Sequence, residues 1–493
     1  MEKWDRMCRL VYKLLCFTVV VATQPVLAGD WTVTNSLNLS SYYSDNLGQR
    51  ADANAGMVVN ASPQLALHGN GRRIKGALSY APTLFTAFGD DPPDSGINHF
   101  LAAHFNSTLV RNTLFLDSTA SAGLVTVNSA AGSDTASLSN TDDTSQTYSL
   151  SLSPYTRHRL GSYAELSFRL GLNAVRAESE ASSLNSTGRS ASASVSSGPR
   201  FARFPWSLSM RHNEVSFDDR TDTTDNLISS LGYRIDRRWR VDGKLGYQKS
   251  ELATSRSDTS GMTYSAALYW TPNPRTRADA EFGRQYFGDF WRVHGEHGSR
   301  RTLLTLDLRR EITNARNLLL REYTIEEAAM SSNERLVLDA ASAEALANIL
   351  GLDPDLIRIY DNVPIDEDYL STLVSVGIRL TGKRTTVTAK ANWNERSYEI
   401  SSDTEEIMGL SIRGERHLGG RINAHASVSW QDVDSSISGT SQYWQLGIGA
   451  SRSLGRHSRV SLDLSRQQRT SDGGSAAEFT EHRIGLTLTT RMF

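Results

Sequence analysis

The chain has 493 residues, 39% hydrophobic and 22% charged, with 36 Gly, 12 Pro and two Cys. That composition excludes collagen-like, disulfide-stapled and wholly disordered proteins. Lys and Arg number 52 against 54 Asp and Glu, a formal charge of -2, and this removes an electrostatic nucleic-acid binder, because such proteins carry a basic excess.

Residues 1–28 read as a secretory signal peptide. Lys3, Arg6, Arg9 and Lys13 lead, Leu14 to Ala22 form a short apolar run, and Val26-Leu27-Ala28 place small residues before Gly29. The run, about nine residues, is too short for a spanning helix, which takes roughly 20. Both cysteines, Cys8 and Cys16, fall in this segment, so the sequence from residue 29 onward contains no disulfide, Cys metal site or thiol nucleophile.

From residue 29 onward the chain is filled with period-two alternation. Ala164, Leu166, Phe168, Leu170, Leu172 and Ala174 alternate with Glu165, Ser167, Arg169, Gly171 and Asn173, which puts the two sets on opposite faces of one strand. Leu227-Leu231-Tyr233-Ile235 continues the pattern, and Trp239-Val241-Gly243-Leu245-Tyr247 interleaves with Arg240, Asp242, Lys244, Gly246 and Gln248. Further along stand Leu370 to Leu380, Val387 to Trp393, Ile422 to Trp430 and Ile484 to Leu488. The longer of these segments have about the ten residues that a tilted membrane strand requires. Lys75 to Thr86 and Asn98 to Leu109 alternate poorly.

Two kinds of connection separate these segments. Turn chemistry marks ten short ones: Gly69 to Arg73, Arg111-Asn112, Arg157 to Leu160, Arg200 to Pro205, Asp236 to Arg238, Pro272 to Arg275, Asn314 to Asn317, Gly382 to Arg384, His417 to Gly420 and Leu454 to His457. Between them lie longer Asp/Ser/Thr-rich stretches such as Gly89 to Gly96, Asn128 to Thr144, Asp218 to Asp225, Ser401 to Glu406 and Gln467 to Ala477. This rhythm implies an all-β fold: a transmembrane antiparallel β-barrel of about 22 strands, within a range of roughly 16–22, occupying residues 29–493. One insert, Ile325 to Asp368, carries the helical stretch Ala340 to Leu350 ended by Asp353-Pro354, and sits either over the outer mouth or in the lumen.

A soluble β-sandwich also alternates, but its strands are usually five or six residues long. Trp206 and Trp239 come just after short turns, Trp270 precedes one, and Trp393, Trp430 and Trp444 lie toward the longer loops, as two interfacial girdles require. In lipid every backbone polar group must be paired, so the sheet has to close. Phe493 gives the chain the aromatic carboxy-terminus of such barrels, resembling the signal read by the barrel assembly machinery, although Leu486, Leu488 and Met492 share the opposite parity. The expected location is the bacterial outer membrane.

No residue set selects itself for catalysis, cofactor binding or a metal. His294, Glu296 and His297 form the densest ligand-like cluster, but in a loop and without the i, i+4 spacing of a helical zinc site. Gly69-Asn70-Gly71-Arg72-Arg73 opens a strand and not a helix, so it offers no phosphate site. Asp90-Asp91 and Asp218, Asp219, Asp222 and Asp225 read as solvated loop carboxylates ahead of a calcium site. The informative chemistry is collective: Glu165, Arg169, Arg240, Asp242, Lys244, Lys390, Arg421 and Asp463 are lumen-facing candidates of both signs, which suits a hydrated interior and not an apolar ligand cavity. With the first strand near Trp31, no room is left for an amino-terminal plug domain, which disfavours a siderophore-transporter reading. The lumen is then a conduit, or is blocked by loops, the insert or a partner.

The chain also resembles a known family. Ser41-Tyr42-Tyr43-Ser44-Asp45-Asn46, Ser62-Pro63, Gly71 to Lys75, Leu78-Ser79-Tyr80, Asn98-His99, and Leu109-Val110 to Leu114-Phe115-Leu116-Asp117 resemble outer-membrane barrels associated with the PEP-CTERM/exosortase system, as does the helical insert two thirds along. The resemblance implies a non-catalytic barrel working with exopolysaccharide export or surface assembly, with outer-membrane lipid and exopolysaccharide or its export components as partners. A general diffusion porin is the nearest alternative, and an outer-membrane hydrolase, with an acid/base set at one rim, the alternative from another class.

Overall fold

The structure is a computed structural model that describes residues 31–492, except 50, 52–53, 90–91, 93–94, 127–143, 179–184, 219, 253, 255, 257–258, 315, 317–367, 437 and 473–477. The signal peptide, Phe493 and the helical stretch of the insert therefore lie outside the described residues.

Twenty-two strands stand in chain order: β1 (Trp31–Ser44), β2 (Gly56–Asn70), β3 (Ile74–Gly89), β4 (Gly96–Val110), β5 (Leu114–Thr126), β6 (Thr144–Leu160), β7 (Ala164–Ala177) and β8 (Ser186–Ser197). Then come β9 (Trp206–Phe217), β10 (Thr221–Arg234), β11 (Trp239–Glu251), β12 (Ser260–Asn273), β13 (Thr276–Gln285), β14 (Gly288–Gly298) and β15 (Thr302–Thr313). The wall is completed by β16 (Tyr369–Thr381), β17 (Thr385–Tyr398), β18 (Thr404–Gly419), β19 (Ile422–Ser435), β20 (Gly439–Ser453), β21 (Ser458–Asp472) and β22 (Phe479–Arg491). Each pairs antiparallel with the next, and β1 pairs with β22 from Ser36↔Arg491 to Ser44↔Arg483. The sheet is thus a closed 22-stranded barrel without a free edge, the arrangement that satisfies the backbone in hydrocarbon.

Side-chain parity agrees with the sequence pattern. Leu166, Phe168, Leu170 and Leu172 of β7, Leu227 and Leu231 of β10, Leu245 and Tyr247 of β11, and Ile484 and Leu486 of β22 are exposed on the outer face, Leu231 to 63%. Such a row of apolar side chains around the whole circumference has no place in water, because apolar surface is driven out of it. Trp239 and Trp270 stack at 5.5 Å near the short-turn end, and Trp430 meets Trp444 at 6.1 Å nearer the long-loop end. With the closed sheet, this band and its girdles place the protein in the bacterial outer membrane, where short turns face the periplasm and long loops the exterior.

Nine of the ten expected short turns mark the hairpins to within a few residues. Asn314 to Asn317 does not. The tenth tight turn is Ser299-Arg300-Arg301, where the Ser299 backbone N–H donates to the Thr302 carbonyl at 2.7 Å and the Thr302 N–H to Ser299 Oγ at 3.1 Å. Asn314 lies one strand later, at the long-loop end, where it begins the insert. The same shift puts His294, Glu296 and His297 within β14 and not in a loop. Asp222 and Asp225 likewise belong to β10, and Gln467 to Asp472 to β21, because the strands run past the hydrocarbon band.

The poor alternation of β3 and β4 has a packing cause. Val58, Ala81, Phe85, Ala87, Phe100 and Ala102 point inward and form a buried apolar cluster with Leu47, which the β1–β2 connection folds back over them. Both faces of these strands are therefore apolar, and the inner wall is not polar throughout, contrary to the expectation from composition.

Candidate functional site

The site is the inner wall, and its periplasm-facing half is a lattice of ion pairs. Glu165 of β7 receives Arg157 at 3.5 Å and Arg159 at 2.9 Å from β6. Arg169 reaches Asp117 of β5 at 2.8 Å and lies over the Tyr155 ring at 4.3 Å, and Tyr155 stacks on Phe115. Arg240 pairs with Asp242 at 3.1 Å and covers the Tyr269 ring at 4.0 Å. Lys244 donates to Glu281 at 2.7 Å, and Ser265 Oγ donates to the same oxygen. Asp463 faces His425 at 3.2 Å. Lys390 stands on β17 with its stem beside Gly377, whereas Arg421 sits in the turn that precedes β19, exposed at the rim.

These pairs are possible because alternate residues share a face. Arg240 and Asp242, Arg277 and Asp279, Arg309 and Glu311, Arg413 and Glu415, and Glu481 and Arg483 are all i, i+2 pairs of opposite charge on inward positions. The spacing is legible in the sequence and is the signal that would have found Glu481, Arg413 and Arg309 without coordinates.

The outer half of the wall differs: its side chains are covered. Val175 is 0% exposed and Arg396 1%. Arg396 pairs with Glu405 at 3.1 Å and lies 5.4 Å from the Tyr369 ring centre. An ion pair this deeply buried is stabilising only when its remaining lone pairs and protons are satisfied, and the Tyr398 hydroxyl supplies one further donor to Glu405 at 3.5 Å.

Three inward segments do the covering. The first is the β1–β2 connection, whose Leu47 seals the apolar cluster of β2 to β4. In the second, Arg256, between β11 and β12, grips Glu399, between β17 and β18, through Nε at 2.5 Å and Nη2 at 2.8 Å, with Thr254 Oγ1 donating at 2.9 Å. That hydrogen bond to Glu399 strengthens the hold of Arg256 on its proton. In the third, Arg316, three residues beyond β15, is 3% exposed and donates to Ser186 Oγ of β8 at 2.8 Å and to Asn173 Oδ1 of β7. Gly188 makes room for this contact, since a Cβ there would come within 2.5 Å of Arg316 Nη2. Arg316 thus reaches from the end of β15 to the inner wall at β7 and β8.

The barrel seam is held by a fourth group. Glu481, 0% exposed, accepts from Ser44 Oγ at 2.5 Å, Gln49 Nε2 at 3.0 Å and Arg483 Nη2 at 2.8 Å. Asp45 takes the His482 backbone N–H at 2.7 Å on the other side of the same strands.

Metal ligation finds no support in the parity of β14. His294 faces Asp307 at 3.4 Å on the inner wall, while His297, three residues on, points outward to Thr276 Oγ1 at 2.8 Å. Among the described residues no group of three or more His, Cys, Asp or Glu is placed to hold a metal ion.

No protein-family model matches the chain, and the search of characterised protein sequences found no match. Solved structures that resemble it include the siderophore receptor PirA from Pseudomonas aeruginosa, at 9% identity over 94% of this chain and 80% of that one, TM-score 0.47. The FrpB iron transporter from Neisseria meningitidis resembles it at 9% identity over 93% and 82%, TM-score 0.48. A loop-deletion form of OmpT, an outer membrane protein of Vibrio cholerae, does so at 10% identity over 94% and 99%, TM-score 0.29. At these identities and scores the likenesses add nothing to the chemistry of the wall.

Proposed function

We propose that this barrel serves exopolysaccharide export or surface assembly in partnership with a PEP-CTERM sorting system, as a non-catalytic conduit or scaffold. The observation that carries the reading is the make-up of the periplasm-facing wall. The named charges there meet opposite charges on neighbouring positions, so the wall is polar and mixed in sign, above a rim whose short turns are rich in Arg and Lys, such as Arg72, Arg73, Arg237, Arg238, Arg300, Arg301, Lys383 and Arg384. Aromatic rings at Phe115, Tyr155 and Tyr269 stand among those pairs, and rings beside hydroxyls and amides suit the two faces of a sugar: apolar C–H and polar O–H. The family resemblance of the β1 to β5 sequence supports the same assignment. A general diffusion porin accounts less well for an outer half whose wall is covered by Leu47, Arg256 and Arg316.

The test is deletion of the gene in its native host, with polysaccharide measured outside the cell and in the periplasm. Export requires a fall outside and a rise within. Unchanged secretion would refute the proposal and leave the porin reading.

A further inference from the structure

We propose that the inner wall of β9 to β15 carries a binding site for a single neutral sugar unit, a hexose or N-acetylhexosamine, at the long-loop end of the barrel. The inference deepens the export reading and rests on it for the source of the ligand; the binding chemistry stands on a cavity. Its volume is about 250 Å³, close to the lower limit of roughly 300 Å³ for small-molecule pockets, which suits one ring and not an oligosaccharide.

The cavity arises from strand lengths. The β13–β14 hairpin turns at once through Tyr286 and Phe287, and β14 leaves β15 at the pair Trp291↔Arg310 although β15 runs on to Thr313 and stays paired with β16. A notch results in the wall. Asn314 Nδ2 donates to Asp368 Oδ1 at 2.7 Å and fixes one rim. Phe290 lies against Gly283, where a Cβ would come within 2.7 Å of its Cε1, so the glycine permits the ring to lie down on the wall.

Two features of the lining select the ligand. Asn213, Gln248 and Gln285 supply amides beside Phe290, and an amide, like a sugar hydroxyl, both donates and accepts, while the part of the ring left open, 8% of the residue, meets a sugar C–H edge. The charges facing it are three carboxylates, Asp222, Glu311 and Asp368, against the guanidinium of Arg292, since Arg310 pairs with Trp291 at an outward position between the inward Arg309 and Glu311, and Asp222 is held by Arg220 at 3.5 Å. Arg292 is already engaged by Glu311 at 3.0 Å and Glu281 at 4.0 Å. An anionic sugar therefore meets a slightly acidic lining whose nearest cation is neutralised.

The experiment is saturation-transfer NMR and calorimetry on the purified barrel in a sugar-free detergent, with methyl glucoside, N-acetylglucosamine and glucuronate as probes. Millimolar binding of a neutral sugar is expected, with glucuronate at least about tenfold weaker. Asn213→Ala and Gln248→Ala should each weaken binding about tenfold, the loss of roughly one good hydrogen bond. Phe290→Leu keeps apolar volume and removes the ring face, so it should weaken binding while the barrel still shows its unboiled gel shift. No binding by the native protein, variants that bind as it does, or glucuronate bound equally well would each overturn the site. Failure here with secretion lost in the deletion strain removes the site and leaves export standing. Sugar binding with secretion unchanged does the reverse.

Discussion

Glu481 ties the side chains of the two seam strands together beside the β1–β22 ladder. It is fully buried at the β1–β22 seam and satisfies Ser44, Gln49 and Arg483 at once. Glu481→Ala leaves the Arg483 cation buried without its partner, a change that destabilises by about 3–5 kcal/mol. The Ser44 hydroxyl, left without this acceptor, adds part of the roughly 1–3 kcal/mol that an unmet buried polar group costs, while Gln49 keeps its bond to Gln467 at 3.4 Å, and these terms overlap. A total of about 4 kcal/mol is expected, near a thousandfold shift in the folding equilibrium at ~1.4 kcal/mol per tenfold. Glu481→Gln keeps the shape and one acceptor and should lose about half as much. The double variant Glu481→Ala with Arg483→Ala should be milder than Glu481→Ala alone, because it removes the stranded charge. Urea unfolding in lipid vesicles followed by tryptophan emission reads all three. The exposed Lys249–Glu251 pair, at 2.8 Å, serves as the contrast, and Glu251→Ala should leave the midpoint in place. A loss below about 1 kcal/mol for Glu481→Ala, or a double variant no milder than the single one, would show that the network does not hold the seam.

Closure, the contact of Arg316 with the wall and the buried Tyr286 phenol each carry a further expected outcome. Unboiled protein should migrate apart from boiled protein on denaturing gels, since a closed sheet has no edge at which to begin unzipping; identical migration would count against closure. Gly188→Val places side-chain atoms where Arg316 and Asn173 now lie, so it should dislodge Arg316 from the wall and raise single-channel conductance in planar bilayers, as should Arg316→Ala; unaltered conductance in both would mean the contact does not obstruct the lumen. Burial first, then the charges of Asp368 and Glu399, push the Tyr286 phenol above its usual value of 10.0. The folded state then holds a proton that the unfolded chain releases, so this contribution is whole below pH 10 and is lost as pH rises above it. Stability of Tyr286→Phe should accordingly fall less between pH 10 and 12 than that of the native protein, and equal slopes would contradict the argument.

Much of the architecture could be read from residues in order. Leu166, Phe168, Leu170 and Leu172 against Glu165, Arg169 and Asn173 specify a strand with one lipid face and one polar face, and the Arg-, Gly- and Pro-rich turns mark where nine of the ten short hairpins reverse. The misplaced tenth turn shows the limit: Asn314 to Asn317 has two asparagines of turn-forming type, and only the pairing of β15 with β14 and β16 puts Asn314 at the outer end. The weak alternation of β3 and β4 was a true signal, of an inward apolar cluster covered by Leu47, that strand periodicity alone does not interpret.

The sequence by itself determined the strand period, the lipid-facing set, the both-signed inner set and the i, i+2 charge pairs, because each of these depends on residues one or two apart along an extended backbone. Tertiary structure alone decided which charges meet across the lumen and which are sealed from water. Ser44 finds Glu481 across 437 residues of chain, and Arg316 finds Ser186 across 130. Such contacts are set by the closure of the sheet and by the direction in which loops turn, and no local pattern encodes either. The notch at β14 is of the same kind, a difference in length between neighbouring strands that exists only once they stand side by side.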